Sequence, residues 1–172
     1  FKKKINKKIN LKIFSILKNE KNQIIQSLSK NYQSNYDKSF LKKFYESKNF
    51  RLIGMGGSIL GSQTIYNFLK DKIKKNFYFI DNLYPKINRK EKKFTNLIIS
   101  KSGNTIETIV NSNILLKKKD KNIFITENKN NYLHFLAKKL KAEIIHHNNY
   151  IGGRYSVLSE VGMLPAELMG LK

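Results

Sequence analysis

From residue 50 onward one pattern recurs: a short apolar run, a turn, and a stretch of helical periodicity. The runs Phe50 to Ile53, Phe77 to Ile80, Leu97 to Ile99, Ile123 to Ile125 and Glu143 to Ile145 start 20 to 27 residues apart, enough for one helix between each pair. The intervening stripes include Leu60, Thr64 and Phe68, and Ile106, Ile109, Val110 and Ile114. Strands separated by single helices pair in parallel, because a right-handed crossover returns each helix to a face of the sheet. The expectation is an α/β fold: a doubly wound, mainly parallel five-stranded sheet with flavodoxin-like layering. Ligands of such folds collect at the carboxyl ends of the strands.

The first 48 residues read differently. Ile5, Ile9, Ile13, Ile16 and Leu17 recur at helical spacing, and a second stripe follows at Phe40, Leu41, Phe44 and Tyr45. A Lys-rich amphipathic start suits a membrane-surface helix or a transit peptide as well as a packing helix. Transit peptides are Arg-rich, whereas the first arginine here is Arg51, so a packing helix is the reading adopted. Residues 1–48 are thus expected as a helical segment ahead of an α/β domain over 49–172. No apolar run approaches the ~18 residues of a membrane span. With no Cys, disulfides, thiolate metal sites and a cysteine nucleophile are excluded. A cytoplasmic protein with no membrane partner is expected.

The formal net charge is +22, from 34 Lys and Arg against 12 acids. Nucleic-acid binding concentrates such charge and favours Arg for bidentate contacts. Here the excess is spread along the chain, and only Arg51, Arg89 and Arg154 are not Lys. Lysine drift on a solvated surface is the simpler account, and no nucleic-acid partner is expected. Where lysine fills tolerant positions, its absence marks constraint. Asn49 to Leu69 has none, Phe94 to Leu116 has only Lys101, and Ala142 to Leu171 has none. Each window contains or follows an expected strand end.

The first window reads GMGGSILG from Gly54 to Gly61. Glycines let backbone amides approach an anion at a helix start. A dinucleotide fingerprint would need glycine where Ile59 stands, although Asp81 after the second strand suits a ribose acid. A plain turn capped by Ser58 is the alternative. The second window reads SKSGNTIET from Ser100 to Thr108. Ser100, Ser102, Thr105 and Thr108 put four hydroxyls around a helix start, beside Lys101, which suits a phosphate without a metal. A capping box with Asn104 as cap and Glu107 reaching back accounts for only part of it.

The third window reads IGGRYSVLSEVGMLPAELMG from Ile151 to Gly170. Gly152 and Gly153 present Arg154 just before an apolar helix through Val157, Leu158 and Val161. An arginine so placed stabilises negative charge on a substrate or transition state, or pairs with Glu107 or Glu160. Pro165 is expected to open a further short helix. His134, His146 and His147 lack metal-ligand spacing and are expected at surface or strand-end positions.

Taken in order, the three motifs resemble the glucose-6-phosphate isomerase family and its sugar isomerase (SIS) domain. Glycines and Ser58 match a GIGGSxLG-like loop, Ser100 to Thr108 an SKTFTTxET-like loop, and Ile151 to Gly162 a VGGRYSxxSxVG-like signature. The resemblance covers about residues 50–171. It implies interconversion of glucose 6-phosphate and fructose 6-phosphate through an enediolate, with no cofactor and no metal. Gly57 and Ser58 would meet the sugar or its phosphate, and Ser100, Lys101, Ser102 and Thr105 would bind the phosphate, with Thr108 nearby. Arg154 would stabilise the enediolate, with Glu107 and Gly153 in support. Ser102, Gly103 and Asn104 depart from the usual string, but Ser102 keeps the hydroxyl. In the family a Glu moves the proton and a His and a Lys open the ring, all downstream in a second SIS domain. Residues 49–172 would then be the first SIS domain, the second being absent, and the full-length enzyme a homodimer. The alternative is a free-standing regulatory SIS domain that binds a sugar phosphate and needs no base.

Overall fold

The computed structural model describes residues 7–29, 31–83 and 93–171. The chain divides into two compact units, Phe1–Gln33 and Ser34–Lys172. The first contains α1 (Lys7–Asn19) and α2 (Gln23–Ser27), the latter started by Asn22, whose side chain accepts from the Ile24 amide. The helix expected at the start is present, and within its own unit its apolar stripe is not enclosed. No residue of α1 is buried, and Ile9, Ile13, Ile16 and Leu17 are 45–57% exposed. A 13-residue and a 5-residue helix offer too little apolar surface to enclose one another. Ile5 lies outside the described residues.

The second unit begins with α3 (Lys38–Leu41), capped by the Asp37 carboxylate on the Ser39 amide. It continues through β1 (Asn49–Gly54), α4 (Leu60–Phe68), β2 (Asn76–Ile80), β3 (Thr95–Ile99) and α5 (Ile106–Leu115). β4 (Lys121–Thr126), α6 (Tyr132–Leu140), β5 (Glu143–His146) and α7 (Glu160–Leu168) complete it. Every expected apolar run falls inside one of these strands. All pairings are parallel, in the order β2-β1-β3-β4-β5. That is the flavodoxin-like order. Ile53, Ile98, Phe124 and Ile144 share one row across four strands.

Period-2 alternation splits the core into two layers. Phe50, Leu52, Leu97, Ile99, Ile123 and Ile125 face Leu41, Phe44, Ile59, Leu164 and Leu168, on the side of α3, α4 and α7. Ile53, Ile98 and Phe124 face Leu133, Leu136 and Ala137 of α6, with Ile109 and Leu115 of α5 packed beside them. The sheet is therefore doubly wound. Each fully buried Leu, Ile or Phe contributes about 1.5–3 kcal/mol relative to exposure.

Two helices are rolled away from the faces their sequences suggest. On α4, Leu60 and Phe68 are 55% and 85% exposed, while Ser62 is buried. On α5, Ile106, Val110 and Ile114 face solvent while Thr108, Asn111 and Ser112 are inside. The small polar side chains are accommodated by local bonds: Ser112 Oγ donates to the Thr108 carbonyl at 2.6 Å, and Asn111 Nδ2 to the Asn82 carbonyl at 2.9 Å.

Pro165 does not open a further helix but lies inside α7, whose N-cap is Ser159. A proline there cannot donate to the carbonyl four residues earlier, that of Val161. Ser62 Oγ of α4 donates to that carbonyl at 3.1 Å instead, in a buried setting. The helix continues because a neighbouring element satisfies the group that proline leaves open. Ser62→Ala is expected to lower the unfolding free energy by about 1–3 kcal/mol, the cost of a buried unsatisfied carbonyl, read as a shifted urea midpoint with unchanged slope.

Candidate functional site

β1 and β3 are neighbours, yet the chain leaves β1 towards β2 and leaves β3 towards β4, in opposite directions. This divergence opens a crevice at their carboxyl ends, where open α/β sheets bind ligands. Gly54 pairs with Ile99, so the loops beginning at Met55 and Ser100 rise side by side. An ideal Cβ on Gly54 would lie 2.9 Å from the Ile99 carbonyl oxygen and 3.3 Å from Ser58 Cβ. Ser58 therefore stands beside the start of the second loop.

The first loop is a 3-10 turn over Gly56–Ser58, closed by bonds from the Ser58 amide to the Met55 carbonyl and the Ile59 amide to the Gly56 carbonyl, each 3.1 Å. Ser58 is not a cap: Ile59 holds the N-cap position of α4, with no side-chain bond. Gly57 is pressed against the backbone of Gly153, and a Cβ at Gly57 would overlap the Gly153 carbonyl. Ser156 Oγ bridges the same place, donating to the carbonyls of Gly153 at 2.8 Å and Gly57 at 3.3 Å. The first and third loops thus form one body. Ser156, which the sequence reading passed over, is what joins them.

The second loop turns at Gly103, where φ is +68° and the Asn131 side chain fills the space a Cβ would need. Ser100 Oγ and Thr105 Oγ1 lie 2.8 Å apart, and the Gly103 amide donates to Ser100 Oγ at 3.2 Å. The capping box does not form. Thr105 is the N-cap of α5 and makes no capping bond, while Asn104 Oδ1 accepts from the Tyr132 amide at 3.0 Å. The first amides of an uncapped helix have no intrahelical partner and attract an anion. Ser102 is exposed and accepts from the Asn104 amide at 3.3 Å. Thr108 is buried, and among the described residues its hydroxyl has no hydrogen-bond partner. Glu107 is half-buried in the first turn of α5.

Lys101 joins the second loop to its neighbours. Its ammonium donates to the Asn149 carbonyl and lies 3.5 Å from Glu127, which also pairs with Lys129 at 2.9 Å. Burial alone would push the Glu127 carboxyl up, but Lys129 and Lys101 outweigh it and hold the group below its ordinary value. All three loops are therefore connected.

Arg154 is exposed in the 3-10 segment Gly153–Leu158, and among the described residues it forms no ion pair. It pairs with neither suggested acid: Glu107 forms no ion pair among the described residues, and Glu160 is fully buried and accepts from Asn35. Glu167 accepts from the Tyr36 hydroxyl at 3.2 Å. Beside Glu167, burial and that carboxylate push the Tyr36 hydroxyl well above its ordinary range. Of the histidines, His146 is exposed at the end of β5 and His134 half-buried on α6. His147, one residue beyond β5, is buried.

Residues 18–171 match the family model described as phosphoglucose isomerase. The chain belongs to the phosphoglucose isomerase family. The glucose-6-phosphate isomerase of Methanocaldococcus jannaschii is 37% identical over 161 residues, covering 81% of this chain and 37% of the relative. That of Borreliella afzelii is 37% identical over 145 residues, with 72% and 26% covered, and that of Acholeplasma laidlawii 32% over 165 residues, with 79% and 38% covered. The chain thus spans about a third of the length of the curated relatives it matches. A hypothetical protein from Thermus thermophilus superposes with a TM-score of 0.66 at 20% identity, over 96% of this chain and 46% of that one. The tagatose-6-phosphate ketose/aldose isomerase of Escherichia coli gives 0.57 at 15%, over 74% and 39%. These likenesses place this phosphoglucose isomerase family member in the SIS-type α/β fold. No helix among the described residues is long and apolar enough to cross a membrane.

Proposed function

We propose that this chain is the sugar-phosphate-binding part of a glucose-6-phosphate isomerase, and that the crevice between β1 and β3 holds the substrate. The observation that carries the reading is the convergence there of three loops with complementary chemistry. Ser100, Ser102 and Thr105 supply hydroxyls, the uncapped start of α5 supplies amides and the positive end of a dipole, and Lys101 adds charge from its bridging position. Gly57 and Ser58 meet the sugar from the opposite wall, and Thr108 backs the phosphate loop. Gly153 is the platform for Arg154, and Glu107 borders the helix start.

In this reading the proton at C2 of glucose 6-phosphate leaves and a proton returns to C1, giving fructose 6-phosphate. In between, charge builds on two adjacent oxygens of the enediolate. A planar guanidinium matches two oxygens at once, so Arg154 stabilises the intermediate more than the ground state. C2 is oxidised as C1 is reduced within the one molecule, so there is no net redox change and no cofactor takes part. None of Glu107, Glu160 and Glu167 matches the family's base, so proton transfer and ring opening fall to groups outside residues 1–172. The full-length enzyme would be a homodimer.

Calorimetry of the 172-residue chain is expected to detect fructose 6-phosphate binding that inorganic phosphate competes away. A coupled assay is expected to find no sustained conversion, since a missing general base alone costs about 100-fold to 10,000-fold. Absence of binding would remove the functional reading, and robust turnover would remove the assignment of the base elsewhere. A regulatory SIS module is the outcome if binding persists but the chain fails to support isomerisation together with the rest of a family-length enzyme.

A further inference from the structure

The loop over residues 148–159, which carries Arg154, is flanked by two buried titratable groups. His147 precedes it and Glu160, the first residue of α7, follows it, with side chains 1% and 0% exposed. His147 Nε2 lies 3.1 Å from the Ile151 carbonyl oxygen. A carbonyl only accepts, so Nε2 carries the hydrogen and donates it. The other ring nitrogen, Nδ1, is buried, has no hydrogen-bond partner among the described residues, and sits 3.9 Å from Glu160 Oε1. Asn35 adds a third strut: its Nδ2 donates to the His146 carbonyl at 2.7 Å and to Glu160 Oε1 at 3.1 Å.

We infer that His147 and Glu160 form a clamp at the base of this loop, with His147 a positioning residue that sets Arg154 through the Ile151 carbonyl. The inference rests on the reading of Arg154 as the group that meets the substrate. Ile151 is buried and only three residues from Arg154, whereas Arg154 has no ion pair of its own among the described residues. The guanidinium therefore takes its position from the backbone, and the clamp is what fixes that backbone. A buried imidazole and carboxylate are costly to retain in a core, and an apolar pair of like size would fill the space without that penalty.

The clamp responds to protons. Burial lowers the imidazole's proton affinity, Glu160 opposes that, the Ile151 carbonyl and Glu127 also favour the proton, and Lys101 disfavours it; the net direction is down. At neutral pH the ring is therefore uncharged with its proton on Nε2. Below the ordinary imidazole range a second proton enters at Nδ1, facing Glu160. Because the unfolded chain takes that proton first, this group's contribution to stability is present above the ordinary imidazole value of about 6.5 and is lost as pH falls below it.

The test is NMR on the 172-residue chain with fructose 6-phosphate titrations beside it. The wild-type imidazole is expected as the Nε2–H tautomer at pH 7.5, and the Arg154 Nε–H signal to move with the His147 titration as pH is lowered. His147→Ala is expected to shift the Arg154 signal and weaken fructose 6-phosphate binding about fivefold, the scale of one lost hydrogen bond. His147→Gln keeps a donor at the Nε2 position, and is expected to restore binding to within about twofold and to leave the Arg154 signal flat with pH. Glu160→Gln is expected to push the His147 midpoint lower still. An Arg154 signal indifferent to His147 titration and to both His147 substitutions would overturn the clamp. So would a folded His147→Gln variant no better than His147→Ala. If the wild type binds no fructose 6-phosphate, the functional reading falls and the Arg154 signal alone decides the clamp.

Discussion

Arg154→Ala, in a family-length enzyme carrying this segment, is expected to cut turnover about 100-fold to 1,000-fold, the scale of removing one transition-state donor. Its thermal midpoint is expected to stay within a degree or so of wild type. The two halves of this expectation come from the same fact. Arg154 is exposed and, among the described residues, forms no ion pair, so the fold has little invested in its side chain. Its KM is expected to change less than kcat, because the charge it meets appears after the proton has left C2. Arg154→Lys keeps one positive charge and loses the two-pronged fork, so it is expected to recover only part of the loss. An alanine variant with unchanged kcat, or one whose loss tracks a lower midpoint, would take the enediolate role away from this residue.

Gly57→Ala is expected to be damaging in the opposite way, through stability and binding together. The added Cβ would overlap the Gly153 carbonyl, which is backbone and has no flexible end to swing aside. Either the first loop lifts away or the third does, and each movement pulls Ser156 from one of its two carbonyl partners. A loss of about 2–3 kcal/mol in unfolding free energy is expected, with sugar-phosphate affinity down at least about tenfold because two walls of the crevice separate. Gly152→Ala is the control: its Cβ would meet only Tyr155 Cδ2, at 3.7 Å, an ordinary contact. Near-equal effects of the two substitutions, by chemical denaturation and calorimetry, would show that the loop contact is not what matters.

The strands were legible because a buried parallel strand must be apolar for its whole length. Five such runs at helix-sized intervals admit few other arrangements. The helices were legible as helices, but not their faces. Ile106, Val110 and Ile114 form an apolar row at helical spacing, yet they face solvent, and the sheet side of α5 is held by Thr108, Asn111 and Ser112 together with Ile109 and Leu115. Periodicity locates a stripe; which side meets the sheet depends on what else must fit beneath it. Pro165 misled for a related reason. Whether a proline ends a helix depends on whether another element takes up the stranded carbonyl, and Ser62 is 103 residues away in sequence. The setting of His147 was not legible because Glu160, 3.9 Å from its ring, and Asn35, which bonds Glu160 and the His146 carbonyl, are brought there only by the fold.

What the sequence alone determined is the class of fold, the three loops at strand ends, and the residue types in them that suit a phosphate and a developing negative charge. These follow from local rules: strand and helix periods, glycine where backbone must approach, hydroxyls and amides at a helix start. What only the tertiary structure decided is which of those groups meet. The strand order puts the divergence between β1 and β3 and raises two loops there side by side. Gly57 against Gly153, and Lys101 reaching Asn149 and Glu127, then draw in the third. Contacts between residues far apart in the chain leave no periodic trace in either segment, because each partner satisfies its own local rules whether or not the other is present.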